Sequence, residues 1–164
     1  MILLLSEEYI KSNAIATEAI DYRVYKPHIL ANQDLYLDEL LGVAFKDDLL
    51  SKYDNQTLTS YEQQLMVYIK QMLIRRVEAS VTDFLTYRLR SKGVQTSNSQ
   101  DTNTATDTQV QYSAKLLNEY GDKYYQYACK YLNDNKTEFP LYTSESCSDC
   151  DEETNNTNMY FYGY

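Results

Sequence analysis

Tryptophan is absent from the chain, and glycine (4), proline (2), cysteine (3) and histidine (1) are scarce. So little Gly and Pro argues against a loop-rich all-β domain, which needs a turn about every 8–12 residues, and favours long helices. Four scattered glycines leave no phosphate-cradling loop and no dinucleotide fingerprint, which excludes a nucleotide enzyme of those types. With His28 the only histidine, histidine-based triads and two-histidine metal motifs are not expected, and His28, after Pro27 near a helix start, reads as a surface or interface residue. Cys129, Cys147 and Cys150 are an odd number without secretory context, so free thiols in a reducing cytoplasm are expected. Cys147 and Cys150 form a CxxC pair, half of a zinc site, with no second pair to complete it. The apolar start, Ile2–Leu5, has no positive flank and is too short for a signal peptide, and no stretch is long enough to span a bilayer.

Tyrosine is abundant. The 164 residues include 18 Tyr, and Asp and Glu outnumber Lys and Arg by 24 to 15, for a formal net charge of -9. The size fits one domain, whose core can bury roughly 70% of the unfolded surface. A field of that sign repels nucleic acid and anionic membranes unless a local basic patch overrides it.

The periodicity predicts a mainly α fold, a helical bundle of about four to five helices with a long central helix, a polar loop and an extended C-terminal tail. Leu3 and Leu5 alternate as one face of a short strand, and Ser6 caps a first helix over Glu7–Ser12. Asp21 is the next cap candidate. Val24, Leu30, Leu37 and Leu41 mark a second helix, expected to begin near Pro27 or to kink there and to end at Gly42. Phe45, Leu49 and Tyr53 make a third. Ser60, with Gln63 as the partner in a capping box, opens the longest helix, which Leu65, Tyr68, Met72, Val77, Phe84 and Leu85 sustain to about Lys92, where Gly93 stops it. Gln95–Gln109 is a low-complexity polar loop. A last helix, about Thr108–Asn133, carries Leu117, Tyr124, Ala128 and Tyr131 on one face, and Phe139–Pro140 closes a helical domain over residues 1–140. Residues 141–164 form an acidic, aromatic-ended tail that holds more than half of the net charge.

No paired acids repeat a calcium-loop spacing, and adjacent acids such as Asp47 and Asp48 point different ways on a helix. Arg75, Arg76, Arg88, Arg90 and Lys92 are the only positive concentration. Glu78 and Asp83 interrupt it, so a solvated or subunit-facing helix is favoured over a nucleic-acid site. The excess of tyrosine fits interfaces, where the ring buries area and the hydroxyl finds a partner. Met159, Tyr160, Phe161, Tyr162 and Tyr164 form an aromatic hook suited to docking, for instance as an added strand. Arg75, Arg76, Arg88, Arg90, Lys92 and this hook are the candidate interface residues. No catalytic, metal or cofactor residue is assigned.

The stretches Leu5–Lys11 (LSEEYIK), Gln33–Gly42 (QDLYLDELLG) and Tyr68–Ser99 (YIKQMLIRRVEASVTDFLTYRLRSKGVQTSNS), followed by a polar loop and a Tyr-rich last helix, resemble small virion proteins of crAss-like and related Bacteroidetes phages. Those proteins are similar in role to the head-to-tail connector, or adaptor, proteins of tailed phages. The resemblance covers residues 1–140. It implies a non-enzymatic neck protein, made in the bacterial host cytoplasm and placed in the virion, forming a ring of about twelve copies between the portal protein and other neck or tail ring proteins. Genome DNA would pass the channel without specific binding, with no cofactor and no membrane. The alternative is a cytosolic helical interaction or regulatory protein with an aromatic docking tail, and a third is a small metal-dependent enzyme or zinc protein using Cys147 and Cys150.

Overall fold

The computed structural model describes residues 2–15, 21–90, 93–96 and 107–143. They form a mainly α-helical bundle of five helices: α1 (Glu7–Asn13), α2 (Tyr22–Leu41), α3 (Val43–Asp54), α4 (Ser60–Thr86) and α5 (Asp107–Asp134). A two-stranded ribbon, β1 (Tyr87–Arg90) and β2 (Gly93–Thr96), follows α4, and a short 3₁₀ turn at Lys136–Glu138 follows α5. None of the described helices is long and apolar enough to cross a membrane.

Helix ends follow local chemistry. Ser6 Oγ accepts from Tyr9 N, and Asp21 accepts from Arg23 N, each satisfying a donor that the first turn leaves open. Pro27 lies inside α2, so the helix begins five residues before the proline rather than at it. Gly42 takes φ +73 between α2 and α3, a conformation that a side chain would strain. At the start of α4 the reciprocal box is one residue earlier than Ser60 and Gln63 would place it. Thr59 Oγ1 accepts from Glu62 N at 3.2 Å, and Glu62 Oε2 accepts from Thr59 N at 2.8 Å.

Two other expectations are corrected. Ile2–Leu5 is not a strand: Leu4 and Leu5 are both buried, which an alternating face does not allow, and the buried Gln33 side chain stands in for a partner strand. Its Oε1 accepts from Leu4 N at 3.1 Å and its Nε2 donates to Ile2 O at 2.8 Å. The long helix ends at Thr86, short of Lys92. Tyr87 pairs with Thr96 and Arg90 with Gly93 in antiparallel register, so Gly93 opens a strand and Gln95 and Thr96 belong to the ribbon, not the loop. The alternation Tyr-Arg-Leu-Arg has the period of a strand, not of a helix.

One large core joins α1 to α5, and a small second cluster, Ala79, Ala114 and Leu117, lies farther along α4 and α5. α4 lies centrally, packed most extensively on α5 and next on α2. Leu65, Ile69, Met72, Leu73, Ile74 and Val77 of α4 are fully buried, facing Ile29, Leu37 and Leu40 of α2 and Ala128 and Leu132 of α5. Phe45 of α3 meets Phe139 and Tyr142, so the core extends past Pro140 to residue 142.

Candidate functional site

Most charged residues of α4 point inward, Asp83 being the exposed one. Glu78 has no exposed side-chain surface, and Arg75 is 11% exposed. Glu78 Oε2 accepts from Arg75 Nη1 at 2.6 Å, its Oε1 accepts from Ile15 N at 2.6 Å, and Arg75 Nη2 donates to Asn13 O at 3.0 Å. A buried pair of this kind fixes the chain that leaves α1 against the middle of α4. Pairing is what makes the burial of either charge tolerable.

Arg76, next in sequence, turns to the other side. Its guanidinium lies 4.5 Å from the Tyr36 ring centroid, pairs with Asp122 and reaches Asn118 Oδ1, tying α2, α4 and α5. Lys70 does the same for α1 and α3: it donates to Tyr53 Oη at 3.0 Å and lies 4.6 Å and 5.4 Å from the Tyr53 and Tyr9 ring centroids. Two members of the expected basic patch, Arg75 and Arg76, therefore present little surface. Arg88 and Arg90 lie on β1. Lys92 is outside the described residues, as are Met159, Tyr160, Phe161, Tyr162 and Tyr164.

Tyrosine makes a continuous seam. Tyr124 meets Tyr127, Tyr127 meets Tyr68, Tyr68 meets Tyr131 and Tyr131 meets Phe139, with ring centroids 5.6–6.5 Å apart in tilted or edge-on geometry. The seam joins α5 to α4 and the C-terminal segment, and its outer side is solvent-exposed. Tyr112, Tyr120 and Tyr127 are 67%, 39% and 53% exposed, on one side of α5. Beside them is a hollow of about 330 Å³ lined by Ile15, Arg75, Tyr120, Lys123, Tyr124 and Tyr127. Its walls are aromatic, with Lys123 as the cation that no described carboxylate pairs, Arg75 being held by Glu78. Such a lining receives an apolar or aromatic group that carries negative charge nearby.

His28 and Ser80 bring an imidazole to a hydroxyl: Nδ1 and Oγ are 2.7 Å apart, with Phe84 edge-on to the imidazole. Burial lowers the His28 pKa from its ordinary value, favouring the neutral ring. Ser80 sits in the interior of α4, where the helix consumes the main-chain N–H groups that an oxyanion would need. The contact joins α2 to α4. Among the described residues no group of three His, Cys, Asp or Glu could hold a metal. Cys129 is fully buried and, contrary to the expectation of free thiols, is disulfide-bonded; Cys147 and Cys150 lie outside the described residues.

Sequence reasoning passed over the inward polar residues. Gln33 lies in the stripe Ile29, Gln33, Leu37 and Leu40, and Glu78 in Ile74, Glu78 and Val81, all buried. A polar side chain in register with an apolar stripe is the signal that finds them.

Fold and site together describe a helical bundle with an aromatic outer seam. The chain belongs to a family of unknown function, DUF6712, whose model matches residues 37–152, from the last turns of α2 through α5 and beyond. No curated protein and no solved structure matches it.

Proposed function

We propose that this protein is a structural component of a phage neck, forming a ring that joins the portal to the tail and lets the genome pass. The observation that carries the reading is the tyrosine face of α5. Three large rings stand exposed on one side of a helix whose other side is buried in the core, the composition and placement of a protein-binding surface. The inward charges agree with it. Glu78, Arg75 and Arg76 serve to lock helices together, which is how a building block is made rigid rather than how a reaction is run.

The segment order that resembles connector proteins gives this surface its partners: further copies of the chain, the portal protein and other neck or tail rings. The net charge of -9 suits a passage through which DNA slides without being gripped. The place of action is the virion neck, after synthesis in the host cytoplasm. The chain has no catalytic role, cofactor or membrane contact in this reading.

Co-sedimentation of the purified chain with assembled portal tests it. The chain is expected to pellet with the portal, and Tyr112→Glu with Tyr120→Glu to weaken this about tenfold or more while the helical spectrum is unchanged. A chain that stays in the supernatant at every concentration would contradict the reading.

A further inference from the structure

The hollow beside the aromatic seam has the lining of a binding site, and the chain carries a segment of matching chemistry. Its walls are Tyr120, Tyr124, Tyr127 and Ile15, with Arg75 at the base and Lys123 exposed at the rim. Two of the five N–H groups of Arg75 are committed to Glu78 and Asn13. Lys123 has no ion pair among the described residues, whereas Lys52 and Lys11 each do.

Residues 144–164, outside the described part, hold Glu145, Asp149, Asp151, Glu152 and Glu153 with no Lys or Arg, and then Met159, Tyr160, Phe161, Tyr162 and Tyr164. We propose that the hollow is the receptor for the chain's own segment Met159–Tyr164, whose rings fill the tyrosine-lined space while the acids ahead of them face Lys123. The inference goes beyond the neck reading and shares Tyr120 and Tyr127 with it: the segment covers them in the free chain, and a neighbouring protein that takes this face displaces it.

Reach supports the intramolecular form. Tyr142 Oη is 3.3 Å from Asn133 Oδ1, so the chain leaves the core beside the C-terminal end of α5. From Asn133 back to Tyr124 is about 14 Å along the helix. Fifteen residues, 144–158, join that exit to Met159, more chain than this distance requires at up to about 3.3 Å per residue, and the tether gives the segment an effective concentration that a free partner must exceed. Aromatic rings against tyrosine, with charge opposed across the rim, supply the contact.

Limited chymotrypsin digestion of the full-length chain, followed by mass spectrometry of cuts within Met159–Tyr164, tests this. In the wild-type chain these cuts are expected to be about tenfold slower than in Lys123→Glu or Tyr127→Ser, at every protein concentration. Lys123→Glu changes an exposed side chain, so thermal melting stays unchanged. Adding Glu152→Lys and Glu153→Lys to Lys123→Glu is expected to restore protection. Equal cutting in wild type and both variants would overturn the proposal. Protection lost on dilution would also overturn it, by showing that a second copy holds the segment.

Discussion

Gly121 of α5 faces the side chain of Arg76 so closely that a Cβ built on it would stand 3.1 Å from both Arg76 Cδ and Nε. A glycine inside a helix costs about 1 kcal/mol relative to alanine, so its place here is set by the arginine that crosses it. Arg76 has little freedom to move, being held by Asp122, Asn118 and Tyr36. Gly121→Ala is expected to destabilise the fold by about 1 kcal/mol or more. In an Arg76→Ala background the same change should turn stabilising, by up to about 1 kcal/mol. Denaturant melts of the four chains in this cycle check both signs.

Glu78 and Arg75 hold the exit of α1, and removing one partner strands the other charge in the core. Glu78→Ala is expected to cost about 3–5 kcal/mol. Exchange of the Ile15 amide, which Glu78 accepts at 2.6 Å, should become fast in the variant. A surface-sized loss below about 0.5 kcal/mol would contradict the burial.

Gln33 carries a narrower role. Its two hydrogen bonds, to Leu4 N and Ile2 O, tie the N-terminal segment to α2 beside the one that Tyr22 Oη donates to Leu5 O. Gln33→Leu keeps an apolar body and removes both, leaving two main-chain groups without partners at about 1–3 kcal/mol each if they stay buried. Exchange at the Leu4 amide should rise, while amides in the middle of α4 keep their order relative to one another.

How much of this was legible in the sequence follows from what each residue answers to. Ser6 and Asp21 act on the few residues beside them, and Gly42 ends its helix by its own backbone freedom, so local reading finds all three. The apolar stripes of α2, α4 and α5 repeat at helical spacing and place the helices. The hairpin was missed because Arg88 and Arg90 also suit a helix C-terminus, although the alternation with Tyr87 and Leu89 carries a strand's period. Arg75 and Arg76 read as a patch because like charges adjoin in sequence. On a helix, neighbours are about 100° apart, so one turns to Glu78 and the other to Tyr36 and Asp122. Tyr120 and Tyr127 lie close to the apolar stripe of α5 yet stand at its exposed edge, a placement that only the packing on α4 decides.

The pH dependence is assigned to two side chains in separate ranges. Burial alone would raise the pKa of Glu62, but the Lys52 ion pair and the amide and hydroxyl of Thr59 outweigh it and hold the carboxyl below its ordinary 4.5. The folded state favours the charged form, so this contribution is complete above about 4.5 and is lost as pH falls through the lowered value. For His28, burial lowers the pKa below 6.5, so its contribution is complete above 6.5 and is lost as pH falls through the folded value. Stability measured by urea against pH should decline in both ranges for the wild-type chain. Glu62→Gln should flatten the lower decline and leave the upper one intact.

The central claim is a ring in the virion neck. The direct measurement is the copy number of this protein relative to the portal in purified particles, with the neck imaged by electron microscopy in the same preparation. The account predicts a fixed ratio near one to one and a ring of density at the portal into which the bundle fits with α5 facing a neighbour. Absence of the protein from the particle would contradict it and leave the helical interaction protein as the reading.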